Sequence, residues 1–205
     1  MRRIVLYAIC SLDGAVDDPT RSFPLDAGEA VVPAFDDVMI AQERKLIESQ
    51  DAVLLGRRMY DEWSSYWPTS DEQPFADFIN NVPKYVVTSS ELTHAWGEVE
   101  VMSGPLAEIV ADLTSRPGRD IGVHGSITLA QSLLAEDLVD ELQLAVAPVL
   151  DPVGRRLSDK LDDLKRLTLV EAIPTTSGAL WLTYRRSVAA ARPERESEAD
   201  SRSGR

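Results

Sequence analysis

Short apolar runs alternate with amphipathic segments along most of this 205-residue chain. A strand buried on both faces of a parallel sheet forms a short continuous apolar run, and the crossover to the next parallel strand usually contains a helix. The alternation therefore predicts one α/β domain with three layers, α/β/α, around a mostly parallel central sheet. The predicted strands are Ile4 to Cys10, Ala52 to Leu55, Tyr85 to Thr88, Val99 to Met102, Asp120 to Val123 and Glu141 to Ala147.

Signals for the start of a helix follow several of these runs. Pro74 and Pro105 suit the first turn of a helix, where the missing N–H is not needed, and Ser126 suits an N-cap. Together with the amphipathic segments, these signals predict helices that begin near Asp36, Arg57, Pro74, Pro105 and Ser126.

The pattern changes after Pro148. Leu167 to Ile173 and Ala179 to Arg185 are two strand-like runs joined by Pro-Thr-Thr-Ser-Gly, which predicts an antiparallel C-terminal hairpin at the end of the sheet. Residues 187–205 hold four arginines, four acids and almost nothing apolar, so they cannot bury a core. We therefore expect a domain over residues 1–186 and a disordered tail over residues 187–205.

The charge balance narrows the classes of partner. The chain has 34 acidic and 21 basic side chains, for a net charge of -13, and no lysine-rich or arginine-rich block. Such a protein repels polyanions, and it lacks the basic stretch that tracks a nucleic-acid backbone. We expect a small-molecule substrate and neither nucleic acid nor an anionic membrane as a partner.

The N-terminal apolar run follows two arginines, as in a signal peptide, but Ser11 and Asp13 interrupt it. A first core strand in a cytoplasmic protein is therefore the better interpretation. No segment approaches the roughly 20 apolar residues that a membrane-spanning helix needs. Cys10 is the single cysteine, and only His94 and His124 accompany it, so we expect neither an internal disulfide nor a bound metal.

Residues 51–60 join the second apolar run to a glycine and two adjacent arginines. Gly56 has no side chain to keep a ligand from the backbone, and a helix that begins at Arg57 has free N–H groups that attract an anion. Arg57 and Arg58 add fixed positive charge. These features predict a phosphate site, and the alternative is a pair of solvated arginines on a helix.

Two more predicted strands end in polar residues. The first strand runs into Asp13 and Gly14, where the aspartate is either a substrate-orienting or proton-relay carboxylate or a simple turn residue. The third strand ends in Thr88, Ser89 and Ser90, whose hydroxyls either bind a phosphate or ribose or cap a turn.

The fifth strand ends at His124-Gly125-Ser126, and a helix is predicted to follow. Gly125 permits close approach, and the N–H groups of the next turn, from Ile127 onward, would face a diphosphate. We assign no function to His124 from the sequence. Because ligands of a parallel sheet bind above the carboxyl ends of its strands, all four junctions predict one extended ligand such as a dinucleotide. The usual Gly-x-Gly-x-x-Gly fingerprint is absent, which disfavours an ordinary Rossmann site.

Seven motifs stand in order within residues 1 to about 186. They are Ser-Leu-Asp-Gly (11–14), Asp-Ala-Val-Leu-Leu-Gly-Arg-Arg-Met-Tyr (51–60), Val-Thr-Ser-Ser (87–90), Val-His-Gly-Ser (123–126), Leu-Val-Asp-Glu-Leu (138–142), Ala-Pro-Val-Leu (147–150) and Gly-Arg-Arg-Leu (154–157). This series resembles the dihydrofolate-reductase-like superfamily. Within it, the chain looks most like stand-alone relatives of the C-terminal reductase domain of the bifunctional riboflavin-biosynthesis deaminase/reductase.

The resemblance implies an NADPH site and hydride transfer to a pyrimidine-like or pterin-like substrate. By position, Ala8 and the segment to Gly14 would lie near the nicotinamide, and an arginine would favour NADPH over NADH through the 2′-phosphate. The cofactor-binding residues implied in this way are Ala8, Gly14, Gly56, Arg57, Arg58, Met59, Thr88, Ser89, Ser90, Gly125, Ser126 and Ile127.

The sequence departs from the family pattern at several positions. Met59 stands where threonine is frequent, and His124-Gly125-Ser126 stands where relatives carry two or three glycines. The helix-borne acid of dihydrofolate reductases has no clear counterpart, although Asp36 and Asp37 lie near its place. The candidate proton sources are therefore Asp13 and water.

The resemblance also implies the type of reaction and of assembly. The riboflavin-type reaction reduces the ribose carbon of a phosphoribosylamino-pyrimidine, which requires a second phosphate site. Candidate cations for that site are Arg21, Lys84, Arg155 and Arg156. A pterin reductase and a non-catalytic nucleotide-binding protein are the alternatives. A homodimer through the C-terminal strands is implied, and the apolar run from Ala179 to Tyr184 would either form that contact or pack within the sheet.

Overall fold

The computed structural model describes residues 1–24 and 35–187. Apart from residue 187, the predicted disordered tail lies outside the described residues. The strands are β1 (Ile4–Ser11), β2 (Gln50–Gly56), β3 (Lys84–Val87), β4 (Val99–Met102), β5 (Asp120–Val123), β6 (Glu141–Ala147), β7 (Leu167–Pro174) and β8 (Leu180–Arg186). The helices are α1 (Pro19–Ser22), α2 (Asp37–Glu48), α3 (Arg57–Tyr66), α4 (Phe75–Asn81), α5 (Leu106–Ser115) and α6 (Ile127–Ala135), with a 3₁₀ turn at Trp67–Thr69.

One eight-stranded sheet organises the described residues, in the order β4-β3-β2-β5-β1-β6-β8-β7. The strands from β4 to β6 pair in parallel, and β8 pairs antiparallel with both β6 and β7. The predicted parallel sheet with an antiparallel C-terminal hairpin is therefore confirmed.

Alternate side chains of the central strands build two cores. Ile4, Leu6 and Leu54 pack in a core with residues of α5 and α6 on one face of the sheet. Val53 and Leu55 pack on the other face with residues of α3 and α4, and neighbouring positions of β1 pack there against α2. The helices thus form two outer layers, as the three-layer prediction requires.

The differences from the predicted elements are local. Helix α1 and the 3₁₀ turn were not predicted, because four and three residues are too short to show a helical period. Pro74 and Pro105 occupy the N-cap positions of α4 and α5 and not the first turn.

The apolar run from Ala179 to Tyr184 packs within the sheet. Its strand, β8, lies between β6 and β7, and both Ala179 and Trp181 are buried. This outcome matches the second interpretation of that run, and the homodimer stays a prediction. No helix among residues 1–24 and 35–187 is long and apolar enough to cross a membrane.

Candidate functional site

A cleft of about 560 Å³ opens where β2 and β5 end and helices α3 and α6 begin. This is the carboxyl edge of the parallel strands, where the four junctions were predicted to meet. The cleft is lined by Asp17, Gly56, Arg57, Arg58, Met59, Glu62, Val87, Leu106, Ser126, Ile127, Thr128, Leu129, Ser132, Glu136 and Arg155.

Two glycines let the walls of the cleft approach each other. A Cβ on Gly56 would overlap Ser126 Oγ, and the Gly56 N–H faces the Gly125 carbonyl oxygen at 3.4 Å. Gly125 has φ of +146°, which side-chain-bearing residues rarely adopt, and a Cβ there would overlap the end of Met59. The space between α3 and α6 therefore depends on bare backbone at both positions.

The N-termini of two helices meet at this cleft. Gly56 is the N-cap of α3 and provides no side-chain hydrogen bond, so the first N–H groups of α3 have no side-chain cap. Ser126 is the N-cap of α6, and its Oγ accepts from the Leu129 N–H at 3.4 Å. Backbone donors and the positive ends of two helix dipoles suit a phosphate-bearing ligand.

Arg57 connects α3 to the loop after β3. Its Nε donates to the Asp61 carboxylate at 2.8 Å, and its Nη1 donates to Ser90 Oγ at 2.8 Å. Ser90 Oγ lies 3.1 Å from Thr88 Oγ1, so a guanidinium and two hydroxyls form one polar group. A guanidinium and hydroxyls close together match the oxygen atoms of a phosphate.

Of the other predicted positions, Arg58, Met59 and Ile127 line the cleft, whereas Ala8, Thr88, Ser89, Ser90 and Gly125 are not among its lining residues. Arg58 lines the cleft, pairs with Glu62 at 3.0 Å and has a side chain that is 78% exposed. Ser89 is exposed beside Ser90. Ala8 and Ile127 pack against the same small apolar cluster, which brings the end of β1 next to the start of α6.

The comparisons with known proteins agree with this geometry. Residues 2–180 match the model of the RibD C-terminal domain. The chain belongs to the RibD C-terminal domain family. The chain is also 25% identical over 189 residues to the uncharacterised protein YyaP of Bacillus subtilis (strain 168), covering 89% of this chain and 94% of YyaP.

Solved structures share the fold of this RibD C-terminal domain. One is a Shewanella sp. PV-4 protein provisionally assigned to riboflavin biosynthesis, with a TM-score of 0.68 and 22% identity over 90% of this chain and 99% of that one. Another is dihydrofolate reductase from Enterococcus faecalis in complex with NADP(H), with a TM-score of 0.57 and 14% identity over 90% and 96% of the two chains. The fold is therefore dihydrofolate-reductase-like, and the family is one of RibD-like reductases.

Asp13 connects two loops of this RibD C-terminal domain. One carboxylate oxygen accepts from Ser11 Oγ at 2.7 Å and from the Asp151 N–H at 2.8 Å, and the other accepts from Arg156 Nη2 at 2.9 Å. The hydrogen bonds from Asp151 and Ser11 lower the pKa of Asp13. An ionised carboxylate with these partners favours a structural role and is a poor proton donor. Gly14 lies in the same turn with φ of +88°, outside the lining of the cleft.

Asp36 caps a helix and also anchors a hairpin. One carboxylate oxygen accepts from the N–H groups of Val38 and Met39 at the start of α2, and the other accepts from Thr176 Oγ1 and the Ser177 N–H. Burial acts to raise the pKa of Asp36, but the hydrogen bonds prevail and lower it to about 2. Asp36, which lies near the place of the helix-borne acid but was not assigned to it, is therefore an ionised cap.

Replacing Asp36 with alanine is expected to lower the free energy of unfolding at pH 7 by on the order of 2 kcal/mol, because the cap and the hairpin contact are both lost. Since the folded pKa lies below the usual 3.8, the stability from Asp36 is present above pH 4 and is lost as the pH falls towards 2. Urea unfolding at pH 7 and pH 3 measures both effects. An equal loss from Asp37→Ala, the exposed neighbour, would contradict this assignment.

The four cations considered for a second phosphate site all have other partners. Arg21 donates to Asp151 at 2.6 Å, Arg155 to Asp17 at 2.7 Å and Arg156 to Asp13 at 2.9 Å. Lys84 is buried, donates to the Val82 carbonyl oxygen and lies 4.4 Å from the centroid of the Trp96 ring. Lys84 is therefore wrong as a phosphate donor, and the three arginines hold loops together.

The structure adds residues that sequence reasoning left out. The Asp17–Arg155 ion pair lies at the rim of the cleft and joins the segment after β1 to the loop before β7. Glu43 of α2 is largely shielded, and this burial, reinforced by Glu72, raises its pKa to about 7. The sequence did hold a signal for Glu43, because it falls in the stripe of Met39, Leu46 and Ile47 that α2 turns towards the core.

Proposed function

We propose that this protein is an NADPH-dependent reductase that transfers hydride to a pyrimidine-like or pterin-like substrate. The observation that carries the proposal is the cleft, along which the N-termini of α3 and α6 and the side chain of Arg57 lie, with Arg57 hydrogen-bonded to Ser90 outside the lining. Such a site suits a ligand with a diphosphate and a further phosphate. The family, one of RibD-like reductases, supports the same assignment.

The residues of the cleft fit the parts of NADPH. The diphosphate would lie between the starts of α3 and α6, where a Cβ on Gly56 would overlap Ser126 Oγ and a Cβ on Gly125 would overlap the end of Met59. Arg57 and Ser90 would hold the 2′-phosphate of the adenosine ribose. The cofactor supplies the hydride when bound, and the protein supplies orientation and the exclusion of water.

The proposal also covers the proton source and the substrate. Asp13 is held ionised by three hydrogen bonds, so water is the better candidate for proton delivery. The family suggests 5-amino-6-(5-phosphoribosylamino)uracil as the substrate, with a pterin as the alternative. Because the candidate cations for the second phosphate are engaged, both compounds belong in an assay of NADPH oxidation.

Replacing Arg57 with alanine is expected to weaken NADPH binding about 10-fold and to leave NADH binding nearly unchanged, since only NADPH carries the 2′-phosphate. Titration of each nucleotide, followed by tryptophan fluorescence, measures the two affinities. Arg58→Ala should have a smaller effect, because Arg58 projects into solvent beside Glu62.

The matched control is Arg116→Ala. Arg116 is also an ion-paired arginine at a helix end, but it pairs with Glu100 of β4 and Asp112 of α5, and it does not line the cleft. Equal loss of NADPH and NADH affinity in Arg57→Ala would refute the assignment of the 2′-phosphate to Arg57.

A further inference from the structure

A lysine is buried at the start of β3, beneath the loop that follows this strand. Lys84 is 1% exposed, and its ammonium donates to the Val82 carbonyl oxygen at 2.8 Å. A buried charge costs free energy unless other groups compensate it, and an apolar side chain of similar size would fill the same space without that cost. The contacts of the ammonium therefore call for a physical explanation.

The end of the loop between β3 and β4 encloses the ammonium of Lys84. Its Nζ lies 4.4 Å from the centroid of the buried Trp96 ring, and the face of an indole attracts a cation. Gly97 follows with φ of +64°, and a Cβ there would lie 3.3 Å from the same Nζ. The Lys84 N–H also donates to the Glu98 carbonyl oxygen at 2.9 Å. One residue thus holds the end of the loop through its backbone and through its charge.

Side chains from outside this loop fix its path. Every residue from 88 to 98, which we call the β3–β4 loop, is described, and none of them belongs to a helix or a strand. A helix usually forms the crossover between neighbouring parallel strands, so this loop needs other support. Tyr60 Oη donates to the His94 carbonyl oxygen at 2.7 Å, and Trp96 Nε1 donates to Asn80 Oδ1 at 2.8 Å. Lys84 is the charged member of this set of anchors.

The other end of the β3–β4 loop holds the arginine proposed to meet the 2′-phosphate. Arg57 Nη1 donates to Ser90 Oγ at 2.8 Å and to the Glu91 carbonyl oxygen at 2.6 Å. Its Nε donates to Asp61 on α3 at 2.8 Å, so the loop and the helix together fix the plane of the guanidinium. A displacement of the loop would therefore turn Arg57 relative to the cleft that it lines.

We propose that Lys84 is a positioning residue for the cofactor: its buried ammonium holds the β3–β4 loop against the sheet, and the loop holds Arg57 in the orientation that meets the 2′-phosphate. This inference rests on the proposed function, because the orientation of Arg57 matters only to a cofactor with that phosphate. Lys84 is too deeply buried to touch the ligand itself. Loss of its charge should therefore reduce the preference for NADPH over NADH.

Protonation of Lys84 makes the anchor depend on pH. Burial lowers the pKa of Lys84 from 10.5 to about 8, and Glu98 opposes this shift. Val53 of β2, and Asn80 and Val82 at the end of α4, are its uncharged neighbours. As the pH rises through about 8, the ammonium loses its charge and with it the attraction to the indole. The second pKa of a phosphate monoester is about 6, so the 2′-phosphate keeps its charge over the same range.

The affinities of the wild-type protein for NADPH and NADH, measured by calorimetry between pH 7 and pH 9.5, give the first test. We expect the preference for NADPH to fall about 5-fold with a midpoint near pH 8. Lys84→Met keeps the length of the side chain without its charge, so its preference should be low at every pH. A wild-type preference that is constant with pH, or an equal loss of both affinities in Lys84→Met, would overturn the inference.

A double-mutant cycle shows whether Lys84 acts through Arg57. Lys84→Met alone should weaken NADPH binding at pH 7 about 5-fold, but in the Arg57→Ala background it should change this affinity less than about twofold. Equal effects in both backgrounds would refute the route through Arg57. Lys165→Met is the matched control. Lys165 also donates to a backbone carbonyl oxygen, that of Ala135, but it precedes β7 at the opposite edge of the sheet from β4.

Amide hydrogen exchange of the ligand-free protein separates this inference from the proposed function. At pH 7, Lys84→Met should speed exchange over residues 88–98 about 5-fold, and Lys165→Met should not. If the wild-type protein does not bind NADPH but exchange in the loop depends on Lys84, the proposed function fails while the anchor stands. If NADPH binds and exchange is unchanged in Lys84→Met, the inference alone fails. Circular dichroism checks folding, and the wild-type pH profile decides if Lys84→Met does not fold.

Discussion

Replacing Gly56 with alanine is expected to weaken NADPH binding on the order of 100-fold, because the added methyl group enters the narrow space between α3 and α6. The new Cβ would overlap Ser126 Oγ and lie 3.3 Å from Ser126 Cβ. To relieve the overlap, Ser126 must turn away from the Leu129 N–H that it caps, or the two helix starts must separate. Both changes disturb the backbone N–H groups proposed to hold the diphosphate. Fluorescence titration with NADPH measures the loss.

A second substitution tests whether this overlap is the cause. In Ser126→Gly the nearest remaining atom to an alanine at position 56 is the backbone nitrogen of residue 126, at 3.5 Å, which is an ordinary contact. Glycine is also an acceptable N-cap, so Ser126→Gly alone should change affinity only about threefold. The double variant Gly56→Ala/Ser126→Gly should regain most of the lost affinity. If it binds NADPH as weakly as Gly56→Ala alone, the explanation is incorrect.

The strands could be predicted because each buried strand of the sheet is also a short continuous apolar run in the sequence. The predicted bounds of the fourth, fifth and sixth strands match β4, β5 and β6. The C-terminal hairpin was also predicted, since a turn-forming segment separates two strand-like runs. The order of the strands within the sheet could not be predicted from the sequence in this way. β5 lies between β1 and β2 although more than 60 residues separate it from either strand, and no local pattern encodes such a contact.

The site was predictable in part for the same reason. Glycines at strand ends identified the positions where α3 and α6 approach each other. The hydrogen-bond partners of individual side chains could not be predicted, because they are far apart in sequence. Arg57 donates to Ser90, 33 residues away, and Asp36 accepts from Thr176, 140 residues away. Asp36 shows the consequence. Its sequence position did not settle whether it is the helix-borne acid, and its contacts identify it as an ionised cap.

The protonation of Glu43 makes the stability of the fold depend on pH. Burial, together with Glu72, raises its pKa from the usual 4.5 to about 7. Between these two pH values the unfolded chain releases a proton that the folded protein keeps, so the free energy of unfolding falls as the pH rises through this range. Above pH 7 the ionised carboxylate lowers stability by a constant amount, and a shift of this size corresponds to about 3 kcal/mol.

Glu43→Gln removes the charge and keeps the size of the side chain. We therefore expect it to raise the free energy of unfolding by about 3 kcal/mol at pH 8, to change it little at pH 4, and to flatten the pH dependence between these values. Urea unfolding at several pH values measures all three. Glu48→Gln, on the exposed face of the same helix, is the matched control and should stay within about 0.5 kcal/mol of the wild type throughout. A gain in Glu43→Gln that is equal at pH 4 and pH 8 would show that the carboxylate is not the cause.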